Sequence, residues 1–261
     1  MRRTPLMLLA LSGCFQAATD EHDAAQSSIV GGTIDEAHPS VVGVGGHTGP
    51  FCTGTVIARR AVLTAGHCRP YMTKRVFFGA RVDERSPSIE VVRATRDPLY
   101  DEVRIASGVI GGVTHDLMIL ELKEDAPVEP SPLFEDTLDN SERFIGPKLV
   151  FVGYGSSGAG DFGTKRKVEL SFTRVGPAPV GGTPGTIDET MIYYGPAGVS
   201  ACNGDSGGPA FLVEDGREYL VATTSFGKPG CRGDGVYSRA DAPAIARFIR
   251  PELDRIAGAV Y

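Results

Sequence analysis

A series of short apolar runs, each bounded by glycine or proline, constrains the fold of this chain most strongly. The sequence has 34 glycines and 18 prolines in 261 residues, and it shows no helical periodicity before its C-terminal end. Runs of this type favour strands, and short antiparallel strands avoid exposed edges by closing into barrels. We therefore expect an all-β protein built from two antiparallel barrels. The predicted strands are residues 40–46, 53–58, 89–94, 117–122, 148–154, 219–225 and 235–238.

A proline-rich stretch separates the two predicted barrels. We place the first barrel at about residues 40–125, the connecting stretch at about 126–147 and the second barrel at about 148–239. Beyond them, Asp241 is a candidate N-cap for a C-terminal α-helix at about residues 242–258. The apolar residues at helical spacing in that segment are Ile245, Phe248 and Ile249.

Residues 202–209, Cys-Asn-Gly-Asp-Ser-Gly-Gly-Pro, have the composition of a nucleophile site. Glycines on both sides of Ser206 allow a sharp turn that exposes the hydroxyl and leaves backbone N–H groups free to bind an oxyanion. A serine needs a base, and all five histidines, at positions 22, 38, 47, 67 and 115, precede Ser206. An α/β-hydrolase needs its histidine after the serine, and an Asp-His-Ser order would depend on Asp35 alone. The remaining order is His, Asp, Ser.

Four motifs occur in a consistent order along the chain. Residues 64–68, Thr-Ala-Gly-His-Cys, resemble a TAAHC motif, and residues 204–209 match GDSGGP. Residues 114–122 are similar to a DIALL segment, and residues 29–32, Ile-Val-Gly-Gly, match a mature N-terminus. Together the motifs resemble the chymotrypsin/trypsin family of serine proteases, over residues 29–261. The resemblance implies two six-stranded antiparallel β-barrels with the active site in the cleft between them.

The resemblance also assigns roles to individual residues. Ser206 would attack the scissile carbonyl, His67 would accept its proton, and Asp116 would orient the imidazole. The backbone N–H groups of Gly204 and Ser206 would form the oxyanion hole. The neighbouring histidine, His115, is predicted to point to the opposite face of its strand and to take no part. We expect protein or peptide substrates, a monomer, and neither cofactor nor metal.

Activation is implied by the same resemblance. Cleavage before Ile29 would create an α-amino group that pairs with Asp205, next to the nucleophile. Ser28 precedes Ile29 where arginine or lysine is usual. We therefore expect a zymogen that a different protease activates.

The specificity pocket is expected to be uncharged and open. The resemblance places Ser200 at its base, where an aspartate would select Arg or Lys, and implies that its walls are Ser225, Phe226, Gly227 and Gly235. The missing side chains of the two glycines would leave a deep slot, which favours a large apolar or aromatic P1 residue. The carboxylate of Asp234 is close enough in sequence to enter the pocket and change that preference.

The cysteines point to an oxidising compartment. Of the five, four can pair in three ways, and the resemblance selects Cys52 with Cys68 and Cys202 with Cys231. Such bridges persist outside the reducing cytosol. No C-x-x-C spacing or suitable histidine cluster accompanies them, so we expect no zinc site.

The remaining cysteine, Cys14, belongs to the N-terminal segment. Residues 1–13 carry a positive n-region and a short apolar h-region, as a signal peptide does. Residues 11–14, Leu-Ser-Gly-Cys, resemble the bacterial lipobox, in which the cysteine is lipidated. Residues 14–28 are polar and unpatterned, and are predicted to be a tether or propeptide. We expect a bacterial envelope lipoprotein, or a protein secreted after ordinary signal cleavage.

Two other functions are compatible with parts of the sequence. A catalytically inactive homologue that acts as a binding module is disfavoured because His67, Asp116, Ser206 and Gly204 are all present. An esterase is disfavoured by the order of the histidines. The net charge of −6 argues against nucleic acid as a partner.

Overall fold

The computed structural model of the chain describes residues 32–104, 110–146, 148–156, 162–179, 186–194, 201–227, 231, 233 and 235–259. Four residues to which the sequence assigned roles, Cys14, Ile29, Ser200 and Asp234, lie outside these ranges.

The first half of the chain forms a closed six-stranded antiparallel barrel. Its strands follow the order β2-β3-β4-β9-β6-β5, and β5 pairs with β2 to close it. In β6, buried Ile89 and Val91 alternate with exposed neighbours, because one face of each strand lines the interior. The strands of this half are β1 (Thr33–Ile34), β2 (Val41–Gly46), β3 (Gly49–Ala58), β4 (Ala61–Thr64), β5 (Arg75–Phe77), β6 (Ser88–Arg96), β7 (Asp101–Arg104), β8 (Ile110–Thr114) and β9 (Met118–Leu122).

The second half forms another closed six-stranded antiparallel barrel. Its strands follow the order β11-β10-β15-β16-β17-β14, and β14 pairs with β11 to close it. Asp215 and Gly216 form the turn between β15 and β16, and both have the positive φ that a tight hairpin requires. The strands of this half are β10 (Lys148–Gly153), β11 (Arg166–Val175), β12 (Ala178–Pro179), β13 (Thr186–Ile187), β14 (Met191–Tyr194), β15 (Pro209–Glu214), β16 (Arg217–Gly227) and β17 (Gly235–Arg239).

A helical segment follows the second barrel. It runs as α1 (Ala242–Ala244), a π-helical turn (Ile245–Ile249) and α2 (Arg250–Gly258). Its buried residues join a core cluster that also contains residues of both barrels, such as Leu63 and Phe211. The helix therefore helps to hold the barrels together. No helix in the described ranges is long and apolar enough to cross a membrane.

The fold predicted from the sequence is confirmed. Both barrels and the C-terminal helix are present, and each of the seven predicted strands overlaps an observed strand. The small hairpin of β7 and β8, which pairs with neither barrel, was not predicted. It ends at Thr114, and His115 lies in a bend with φ of 49°. The prediction that His115 lies in a strand is therefore wrong.

Candidate active site

Pairing of two strands brings His67 to Asp116. His67 follows β4 and Asp116 precedes β9, and in the antiparallel β4–β9 pair Thr64 lies opposite Met118. The Asp116 Oδ2 atom lies 2.7 Å from His67 Nδ1, and its Oδ1 accepts the backbone N–H of His67 at 2.8 Å. The two residues are thus held by contacts from both carboxylate oxygens.

Ser225 adds a third donor to this carboxylate. Its hydroxyl lies 2.5 Å from Asp116 Oδ2, and both Asp116 and Ser225 are buried. The sequence predicted Ser225 only as a pocket wall, and no local pattern indicates its contact with a residue 109 positions away. Three hydrogen bonds fix the orientation of a charge that would otherwise be costly to bury.

The charge of Asp116 sets the protonation of His67. Burial by itself would lower the pKa of His67, but the charge and hydrogen bond of Asp116 outweigh it, so the pKa is raised above 6.5. A carboxylate in contact with one ring nitrogen also selects the tautomer that carries its proton there. The imidazole can then accept a proton at its other nitrogen.

The loop around Ser206 turns sharply between Cys202 and β15. Gly204 and Gly207 have φ of 100° and 80°, a region that residues with a Cβ rarely adopt. Hydrogen bonds tie the loop to the first barrel: Thr53 N–H donates to the Ser206 carbonyl at 2.9 Å and the Thr53 hydroxyl to the Gly204 carbonyl at 2.8 Å. The loop is therefore positioned by both barrels.

Two pockets adjoin Ser206. One, of about 370 Å³, is lined by His67 and Gly204 together with Ser206. The other, of about 240 Å³, is lined by Ser206 and by Ser225, Phe226 and Gly227. The structure thus gathers the predicted nucleophile, the predicted base and one predicted oxyanion-hole residue around one cleft, with a second pocket beside it.

Disulfides flank this cleft. Cys52 is bonded to Cys68 and Cys202 to Cys231, the two pairs that the family resemblance implied. The first closes the loop that carries His67, and the second ties the Ser206 loop to the end of the pocket. In the described part of the chain, no group of three His, Cys, Asp or Glu side chains is placed to hold a metal ion.

Asp205 is buried directly behind the nucleophile. Its carboxylate accepts the backbone N–H groups of Gly155 and Cys202, each at 2.8 Å. Burial raises its pKa to about 6, although both hydrogen bonds lower it. Within the described residues no cationic side chain pairs with it.

The pocket differs from the predicted slot at Gly235. Of the predicted walls, Ser225, Phe226 and Gly227 line the pocket. The space beside Gly235 is filled, because a Cβ added there would lie 2.3 Å from the Tyr194 hydroxyl. No local sequence signal indicates Tyr194, and its position opposite Gly235 follows only from the pairing of β14 with β17.

Comparison with known proteins agrees with this arrangement. The family model described as Trypsin matches residues 29–247. The chain belongs to the trypsin family. A serine-type endopeptidase of this family needs the buried His–Asp pair and the serine loop that the two barrels present here. This trypsin-family chain is accordingly a serine-type endopeptidase.

Several relatives support the assignment to the trypsin family. Kallikrein-8 of Homo sapiens is 28% identical over 263 residues, which cover 97% of this chain and 94% of the relative. The venom serine protease Bi-VSP of Bombus ignitus is 30% identical over 228 residues, covering 77% of this chain and 59% of the relative. Kallikrein-8 of Mus musculus is 26% identical over 205 residues, covering 72% of each chain.

Proposed function

We propose that this endopeptidase cleaves peptide bonds through Ser206, His67 and Asp116. The observation that carries the proposal is the buried Asp116 carboxylate, bonded to His67 in a cleft that Ser206 shares. The Ser206 hydroxyl attacks the scissile carbonyl while neutral His67 takes its proton, and Asp116 stabilises the imidazolium that forms. Water then hydrolyses the acyl-enzyme with the proton transfers reversed.

The oxyanion would be bound by the backbone N–H groups of Gly204 and Ser206. Among the hydrogen bonds of the described residues, neither of these N–H groups has an intramolecular acceptor. Two unpaired donors beside a serine hydroxyl are suited to a developing negative charge. Each such donor contributes about 2.7 to 4 kcal/mol in comparable sites.

A fluorophosphonate probe tests the nucleophile, because it labels activated serines covalently. We expect the processed protein to be labelled and to hydrolyse peptides, and Ser206→Ala to lose both. The matched control is Ser86→Ala, which removes a partly buried hydroxyl that bonds to Asp83 in a loop of the first barrel and leaves both unchanged. Labelling that survives Ser206→Ala contradicts the proposal. Absence of labelling in the processed native protein favours the inactive homologue, and cleavage of lipid esters but no peptide favours the esterase.

The buried Asp205 carboxylate supports activation by Ile29. A carboxyl group whose pKa burial raises to about 6 gains from a cationic partner, and the α-ammonium of Ile29 would supply one. Because Ser28 precedes Ile29, a different protease would make the cut. N-terminal sequencing of active material is expected to begin at Ile29, and a start upstream of it contradicts this step.

The P1 preference is proposed to be apolar or aromatic rather than basic. The described residues that line the pocket beside Ser206 include no charged side chain: they are Ala201, Cys202, Asn203, Ser206, Thr224, Ser225, Phe226, Gly227 and Cys231. An unpaired Arg or Lys side chain would lose its hydration there without a counter-charge. A peptide library varied at P1 tests this, and preference for Arg or Lys contradicts it.

Export and lipidation at Cys14 are the final part of the proposal. Residues 1–13 would direct the chain out of the cytoplasm, and residues 14–28 would tether the catalytic domain of residues 29–261 to a bacterial envelope. The two disulfides are consistent with an oxidising compartment. When the native chain is expressed in bacteria, it should incorporate labelled palmitate. The Cys14→Ser variant should incorporate none. Incorporation that persists in Cys14→Ser, or none in the native chain, contradicts the anchor.

A further inference from the structure

Tyr194 lies at the end of β14, where the second barrel meets the substrate pocket. In the antiparallel pair of β14 and β17, Tyr194 is opposite Gly235, so the two residues face the same side of the sheet. Tyr194 is only 1% exposed. Its ring packs against Phe151 and Tyr237, with centroids 5.4 Å from each. These contacts hold the phenol in one orientation.

The phenol covers Gly235. A Cβ built on Gly235 would lie 2.3 Å from the Tyr194 hydroxyl oxygen and 2.4 Å from the nearest ring carbon. No real side chain tolerates contacts of that length, so the ring occupies the volume that a side chain at position 235 would need. Glycine at this position therefore makes room for Tyr194 and does not leave an open slot.

The hydroxyl end of Tyr194 reaches the pocket lining. It accepts the backbone N–H of Ala201 at 3.1 Å, and Ala201 lines the pocket beside Ser206. Tyr194 thus spans from β17 to the loop that leads to the nucleophile. A side chain entering past Ser206 meets the chain segment that this phenol supports.

We propose that Tyr194 closes the base of the specificity pocket and restricts P1 to aliphatic side chains of about the length of leucine. This inference rests on the proposed peptidase function and narrows its P1 preference. The aromatic ring of Phe or Tyr at P1 extends farther from the backbone than leucine does, and its far edge would meet the closed base. A misfit of one methylene group changes kcat/KM by about 10–200-fold.

The test compares peptide substrates that differ only at P1. For the processed native protein, kcat/KM is expected to be about tenfold higher for P1 Leu than for P1 Phe. Tyr194→Ala should open the base and raise the Phe-to-Leu ratio at least about tenfold. Tyr194→Phe is the matched control, since it keeps the ring and removes only the hydroxyl, and it should keep the preference for Leu. A native preference for P1 Phe overturns the inference.

A stability measurement tests the position of the phenol independently of activity. Gly235→Ala should lower the melting temperature of the native chain strongly, and much less in a Tyr194→Ala background, where the clash is gone. If Tyr194→Ala does not fold, Tyr194→Leu provides the smaller side chain. Equal losses in both backgrounds overturn the inference. Failure of the peptidase function would instead appear as native protein that fluorophosphonate does not label.

Discussion

At the scale of single residues, the chemistry depends on how the Asp116 carboxylate is held. It accepts hydrogen bonds from the backbone N–H of His67 and from the Ser225 hydroxyl, and its Oδ2 atom also contacts Nδ1 of the His67 ring. A buried carboxylate with this many hydrogen-bond partners is held in one orientation. The same charge acts directly on the base, so its effect can be measured as a pH dependence.

We expect the acid limb of the pH profile to lie above pH 6.5. His67 must be neutral to accept a proton, and Asp116 raises the His67 pKa above 6.5 by stabilising the imidazolium. Activity should therefore fall as the pH falls through that raised value. The measurement is kcat/KM against pH for a neutral peptide substrate.

Asp116→Asn provides the comparison for this profile. Removal of the negative charge should lower the pKa of His67 and move what activity remains toward lower pH, with a large loss in kcat. A profile that is flat between about pH 5 and 8, or an acid limb below that of free histidine, would count against His67 as the base.

At the scale of elements, strand pairing and helix packing position the site. The β4–β9 pair joins the segments that carry His67 and Asp116, while the Ser206 loop precedes β15 in the other barrel. The C-terminal helix packs against the core cluster that both barrels share. Removing a buried side chain of the helix should therefore lower the free energy of unfolding of the whole protein.

Ile249→Ala is expected to destabilise the protein by about 2 to 5 kcal/mol, since it removes a fully buried side chain from this shared core. Ala246→Ser, on the exposed side of the same helical turn, is the matched control and should change stability by less than about 0.5 kcal/mol. Urea unfolding measures both. Similar losses for the two variants would show that the helix contributes little to the core.

At the scale of the whole molecule, a polar network that is buried on the side of His38 and Asp35 ties the N-terminal segment to the second barrel. His38 Nδ1 lies 2.8 Å from Asp35 Oδ1, and Nε2 lies 2.8 Å from Glu218 Oε2. The ammonium of Lys165 donates to the His38 carbonyl at 2.6 Å. These contacts anchor the segment that leads back toward Ile29.

The stability contributed by this network should depend on pH. Burial lowers the pKa of His38, but Asp35 and Glu218 outweigh it and raise the pKa above 6.5. The contribution is fully present below 6.5, the value of the unfolded chain, and is lost as pH rises through the raised folded value. The melting-temperature advantage of the native chain over His38→Gln should therefore be larger near about pH 6 than near about pH 9.

Glu218→Gln is the companion variant for this measurement. It removes one of the two carboxylates and keeps the side-chain shape, so it should reduce the pH dependence without abolishing it. If the melting temperature of the native chain exceeds that of His38→Gln by the same amount at both pH values, the network contributes no charge-dependent stability.

Much of the fold and the candidate residues could be predicted because they leave local signals. Alternating apolar positions mark strands such as β6, and glycines on both sides of Ser206 mark a turn that only glycine adopts easily. The position of Tyr194 and the bond of Ser225 to Asp116 gave no such signal. Both depend on contacts with residues that are far away in the chain, and the neighbouring sequence does not specify such contacts.

The sequence by itself determined the all-β class, the closure into two barrels and the set of residues that can carry serine-protease chemistry, because backbone preferences and residue types are local properties. The tertiary structure decided how Asp116 is held and which side chain fills the space beside Gly235. Those depend on distances between side chains from different strands, and only the register of the closed barrels sets such distances.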